Sequence, residues 1–133
     1  INKNKFLFNY GSENHEPYFI HMNLLHESLI RKENMSGITH HMIFNNKYIK
    51  QLFTMIENKH NKKFYEIFLE SVAPDNRPYS GASEYEIYFN FMLIYNFNEI
   101  EIRHLLWKNN SVNLKIDLKS KTYDYLSYHH YLR

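Results

Sequence analysis

The sequence predicts an α/β fold, because short segments rich in β-branched and aromatic residues alternate with segments of helical spacing. The short segments cover residues 5–9, 38–44, 99–107 and 123–129, and each is predicted to form a strand. Stretches of Gly, Pro, Asn and charged residues separate the predicted strands and helices. No repeat or linker divides the chain, so we expect residues 1–133 to form a single domain or half-domain.

Four segments have the apolar spacing of amphipathic helices, namely residues 18–32, 47–59, 64–72 and 82–95. Pro17 precedes the first of them, and Pro is favoured in the first turn of a helix. The longest predicted loop, residues 73–81, leads into the fourth helix. A second polar loop is expected at residues 108–113.

The composition excludes several classes of function. The chain has 133 residues, of which 44% are hydrophobic and 23% charged, and this balance is typical of a folded domain. A net charge of +2 is too small to indicate a nucleic-acid partner. With no Cys, disulfide scaffolds, thiol catalysis and Cys-type zinc sites are excluded. No signal or membrane segment is visible, which favours a cytoplasmic location, and the many Asn, Lys, Ile and Tyr codons indicate an AT-rich genome, such as a viral one.

The most informative motif is Ser-Gly-Ala-Ser-Glu-Tyr-Glu-Ile-Tyr at residues 80–88, where a loop enters the fourth helix. Ser83 and Glu86 have the spacing of a capping box, in which each side chain bonds the other residue's backbone N–H. Glu84 has no such duty. The helix dipole favours its ionised form in the first turn, so Glu84 is predicted either to act on a ligand or to be a solvated carboxylate.

Two pairs of adjacent histidines are candidate ligands. His40 and His41 lie in the predicted strand 38–44, where successive side chains point to opposite faces. One of the two is therefore expected to face a site and the other to be a hydrogen-bonded core residue. His129 and His130 present the same alternatives near the end of the chain, and one His from each pair could share a divalent metal.

Four blocks occur in an order that resembles a little-characterised family of glycosyltransferase-like proteins related to the nucleotide-diphospho-sugar transferases. They are residues 14–18, 36–44, 80–90 and 123–130. The resemblance implies the carboxy-terminal, acceptor-side part of a GT-A type fold. It also implies that Glu84 is the carboxylate that contacts the acceptor or acts as base. His129 or His130 would be the late His that completes the metal shell.

The resemblance implies transfer of a sugar from a nucleotide-sugar donor to a carbohydrate or protein hydroxyl acceptor, with divalent Mn or Mg as cofactor. The chain contains no Asp-x-Asp motif, so the donor-binding half is expected either to lie upstream or to have been lost, and the isolated fragment is expected to be inactive. The alternatives are a non-catalytic carbohydrate- or partner-binding module and, ranked below it, a His-metal hydrolase. The residues expected to contact substrate are His40, His41, Ser80, Gly81, Tyr85 and Tyr88.

Overall fold

The computed structural model describes residues 5–110 and 122–128, which belong to two compact units, one ending at Ile102 and one beginning at Arg103. Strand β1 (Phe6–Asn9) of the first unit pairs with β2 (Ile100–Arg103), whose residues up to Ile102 belong to the same unit. Between them lie α1 (Glu16–Leu25), α2 (Asn46–His60), α3 (Phe64–Glu70) and α4 (Glu84–Tyr95), with short 3-10 helices at Pro74–Tyr79 and Phe97–Glu99. In the second unit, β3 (Trp107–Asn110) pairs in parallel with β4 (Tyr125–Tyr128), and Trp107 is opposite Tyr125.

Helix α4 lies at the centre of the first unit. Its residues 86–93 are all buried, and the helix packs against both α1 and α2. A helix that is apolar on nearly every face is stable only when other elements surround it. The core around it includes Phe8 of β1, Met22 of α1 and Leu52 of α2.

Helices α2 and α3 form a helical hairpin whose ends are set by local residues. The Asn45 side chain accepts a hydrogen bond from the backbone N–H of Lys47 at 2.9 Å and caps the start of α2. Asn61 adopts a left-handed conformation, with φ at 52°, and ends that helix. The rings of Phe53 and Phe64 stack with centroids 3.9 Å apart and join α2 to α3. Both predicted helices, and the break between them, are confirmed.

Three predicted boundaries are wrong for local reasons. The first helix was expected to reach residue 32, but it ends at Leu25, where the extended backbone of His26 follows. There the His26 ring accepts a hydrogen bond from the backbone N–H of Ser28, which replaces helical bonding. The predicted strand 99–107 ends at Arg103, and residues 107–110 form β3 where a polar loop was predicted.

Residues 38–44 form no strand, contrary to the prediction from their β-branched and aromatic composition. The backbone N–H of Gly37 bonds the Glu86 carboxyl group, and that of Ile38 bonds the Ser36 hydroxyl. His40 has a positive φ of 61°, which breaks an extended strand. The segment is therefore held as irregular chain against the start of α4.

Within the part of the chain that the structure describes, no helix has both the length and the apolar character needed to cross a bilayer.

Candidate functional site

The first turn of α4 carries both carboxylates of the motif, and the structure separates their roles. Ser83 is the N-cap residue, and its hydroxyl accepts a hydrogen bond from the backbone N–H of Glu86 at 3.3 Å. This half of the predicted capping box is confirmed. The reciprocal half is wrong, because the Glu86 carboxyl group turns away from the helix start and bonds Ser36 and Gly37.

Glu86 is fully buried, with 0% of its surface exposed, and joins two segments far apart in sequence. Its Oε1 accepts from the Ser36 hydroxyl, and its Oε2 accepts from the Gly37 N–H at 3.1 Å. The Asn90 amide donates to the same Oε2 at 3.3 Å, while Asn90 Oδ1 accepts from the backbone N–H of Lys32 at 2.9 Å. Every bond of this cluster ties α4 to residues 32–37 or to itself, so the Glu86 cluster has a structural role.

Burial raises the pKa of Glu86 above its ordinary value of 4.5. The hydrogen bonds from Ser36 and Gly37 and the charge of Arg31 act in the opposite direction but do not cancel the effect of burial. Each oxygen of the Glu86 carboxyl group accepts a hydrogen bond, so neither is buried without a partner.

Gly37 allows the 36–37 segment to approach α4 closely. A Cβ atom at this position would lie 2.6 Å from both the Tyr85 carbonyl oxygen and the Phe89 Cβ. Because the first of these contacts is with backbone, the segment itself would have to move. We expect Gly37→Ala to lower the free energy of unfolding by about 1–3 kcal/mol, as overpacking in a core does.

Urea denaturation measures this effect of Gly37→Ala, with Glu33→Ala as a control at an exposed position of the same segment. The control should leave the midpoint nearly unchanged. An equal midpoint for Gly37→Ala and the parent would show that the close approach to Tyr85 is not required.

Glu84 is exposed and borders an apolar pocket with a volume of about 310 Å³. Three elements supply the rest of the lining: the 38–44 segment, the hairpin of α2 and α3, and α4. The ring-bearing residues among them are Phe44, Phe53, Phe64, Phe68 and Tyr88, and the aliphatic ones are Ile49, Leu52 and Ile87. Glu84 is thus the one charged residue among the described residues that line this cavity, which we call the Glu84 pocket.

The predicted contact residues Tyr85 and Tyr88 lie beside this pocket in different ways. Tyr88 lines it, and its hydroxyl accepts a hydrogen bond from the backbone N–H of Asn45 at 3.0 Å. Burial raises the pKa of Tyr88, so its phenol stays neutral. Tyr85 is outside the lining, but its ring contacts that of the lining residue Phe44, with centroids 5.7 Å apart.

The structure brings neither His40 nor His41 into the Glu84 pocket. Both side chains are exposed, so the expectation that one of them would be a core histidine is wrong. That expectation required the alternation of a strand, and the positive φ of His40 removes it.

Ser80 and Gly81 also lie outside the lining of the Glu84 pocket, and Ser80 contacts residues of the 14–18 block. The Ser80 hydroxyl lies 2.9 Å from the Tyr18 hydroxyl, and the Ser80 carbonyl lies 3.1 Å from His15 Nε2. A Cβ at Gly81 would lie 2.8 Å from Val72 Cγ1, so this glycine fits a crowded turn. Two of the blocks that carry the resemblance, residues 14–18 and 80–90, therefore meet in space.

The predicted metal ligands His129 and His130 lie outside the described residues. Across residues 5–110 and 122–128, no three His, Asp or Glu side chains converge to hold a metal ion. The described residues do not form a site for the expected Mn or Mg, and we derive no step through a metal.

The chain matches no protein-family model, no curated protein and no solved structure. The resemblance to glycosyltransferase-like proteins and the GT-A type fold therefore stay predictions.

Proposed function

We propose that this chain is the acceptor-side part of a glycosyltransferase and that the Glu84 pocket receives the acceptor. The observation that supports the proposal most is that the two carboxylates in the first turn of α4 have different environments. Glu86 is buried and bonded to the 36–37 segment, while Glu84 is exposed at the rim of an apolar pocket. Within the described residues, no hydrogen bond or ion pair engages the Glu84 carboxylate, which leaves it available to a ligand.

A carboxylate in this position can orient an acceptor hydroxyl and accept its proton. In the transfer step, the acceptor oxygen forms a bond to the anomeric carbon of the donor. The bond between that carbon and the diphosphate oxygen breaks, and the nucleoside diphosphate leaves with the electron pair. The acceptor proton passes to Glu84. The Glu84 pocket excludes water from one side of the hydroxyl, which favours transfer over hydrolysis.

An assay for nucleoside diphosphate tests the proposal in the protein that includes the expected donor-binding half. We expect release from a nucleotide sugar to rise at least tenfold when a hydroxyl acceptor is added, with a product heavier by one sugar residue. A panel of common nucleotide sugars identifies the donor. The proposal fails if no member of the panel gives release that depends on an acceptor.

The composition of the pocket favours one second candidate, a non-catalytic binding module. Apart from Glu84, the described residues of the lining offer rings and aliphatic side chains, and none of them is a second carboxylate that could share acid–base work. Such a module would bind its ligand through the same residues without releasing nucleoside diphosphate. The assay above therefore separates the two candidates.

A further inference from the structure

The lining of the Glu84 pocket is mostly apolar and has few groups that can form a hydrogen bond with a hydroxyl. Five of its lining residues carry aromatic rings and three carry aliphatic side chains. Among the described residues that line it, only Glu84 and Tyr88 have polar atoms in their side chains, and the Tyr88 hydroxyl already accepts a bond from the Asn45 N–H. A ligand that fills this pocket gains mainly from burying its own apolar surface.

A free sugar fits such a lining poorly. Each ring hydroxyl that enters the pocket loses its bonds to water, and most would find no partner among the side chains that line it. A volume of about 310 Å³ is at the lower end of ligand pockets and suits one ring-sized body.

The single carboxylate at the rim determines the polar part of the ligand. A wholly apolar ligand would cover Glu84 without giving its oxygens a donor, which weakens binding. A hydroxyl directed at Glu84 supplies that donor and is also the group that a glycosyl acceptor must present.

We infer that the ligand of the Glu84 pocket is a hydroxyl group on an apolar, ring-sized body, such as a phenol or an aryl alcohol. The inference rests on the proposed function, because it identifies the acceptor class of the same site. The aromatic rings contact the body of the ligand, and Glu84 accepts the hydrogen bond of its hydroxyl. Recognition thus comes from an apolar group beside the reacting oxygen and not from sugar hydroxyls.

Binding of 4-methylphenol to the protein, followed by NMR chemical shifts of Ile49 and Ile87, tests the inference. We expect 4-methylphenol to bind at least tenfold more tightly than methyl glucoside, which lacks the apolar ring, or toluene, which lacks the hydroxyl. Glu84→Ala should weaken binding of 4-methylphenol at least fivefold and leave that of toluene nearly unchanged. Each variant's amide spectrum shows whether it is folded.

Two matched substitutions locate the site. Phe44 lines the pocket and is 39% exposed, so Phe44→Ala removes one wall at small risk to the core. Phe44→Ala should weaken the binding of 4-methylphenol at least fivefold. Phe97 is 59% exposed and lies outside the pocket lining, so Phe97→Ala should leave binding unchanged.

The inference is overturned if methyl glucoside or toluene binds as tightly as 4-methylphenol, or if none of the three probes binds. Its failure is distinguishable from that of the proposed function. Transfer to simple sugars without binding of 4-methylphenol contradicts the inference alone. Binding of 4-methylphenol with the expected selectivity, in a protein that transfers no sugar, supports the inferred ligand and contradicts the proposed function.

Discussion

Glu86→Ala is expected to lower the free energy of unfolding by about 3 kcal/mol, which is more than the usual effect of losing a helix cap. The substitution removes the acceptor of the Gly37 N–H, the Asn90 amide and the Ser36 hydroxyl at once. Each buried donor left without a partner costs about 1–3 kcal/mol, and a water molecule that enters the space recovers part of the sum. Chemical denaturation measures the change.

Glu86→Gln is the control, because it keeps the shape of the protonated carboxyl group and most of its bonds. The pKa of Glu86 is raised in the folded protein, so protonation of Glu86 stabilises the fold at pH values below the ordinary pKa of 4.5. That contribution is lost as the pH rises through the raised pKa. The parent should therefore lose stability relative to Glu86→Gln over this interval. The structural role of the Glu86 cluster would be contradicted by two results together. The parent and Glu86→Gln would show the same dependence of stability on pH, and Glu86→Ala would be as stable as the parent.

The sequence is sufficient to predict elements whose signals are local. The N-cap at Ser83, the two helices α2 and α3 and the break between them depend on caps and on apolar spacing, and all are found. The sequence also predicts that Glu84 takes no part in the cap, because the residue directly after the N-cap cannot supply the reciprocal bond.

Tertiary contacts explain what could not be predicted. The partners of Glu86 lie 49 and 50 residues away in sequence, so a capping box was the only local interpretation of its spacing. The 38–44 segment has a strand's composition, but the bonds that Gly37 and Ile38 make prevent it from forming a ladder. A possible signal was the Gly next to Ser36, since a small pair often marks close approach of backbone to a helix.

Glu84→Gln is expected to lower the rate of sugar transfer by about 10²-fold or more, the usual scale for a lost acid–base group. The substitution keeps the size of the side chain and removes its ability to take up the acceptor proton. Because Glu84 is exposed and no other described residue bonds its carboxylate, folding should not change. Binding of the nucleotide sugar should also be nearly unchanged, since the proposal assigns Glu84 to the acceptor.

The most direct test of the proposed function compares the transfer rate of the parent, Glu84→Gln and Glu86→Gln at one temperature where all three are folded. We predict that Glu84→Gln is at least a hundredfold slower than the parent and has an unchanged melting curve. Glu86→Gln should retain most of the parent's rate, because its carboxyl group is buried away from the Glu84 pocket. Transfer by Glu84→Gln at the parent rate would contradict the account and leave Glu84 as a solvated residue of a well-capped helix.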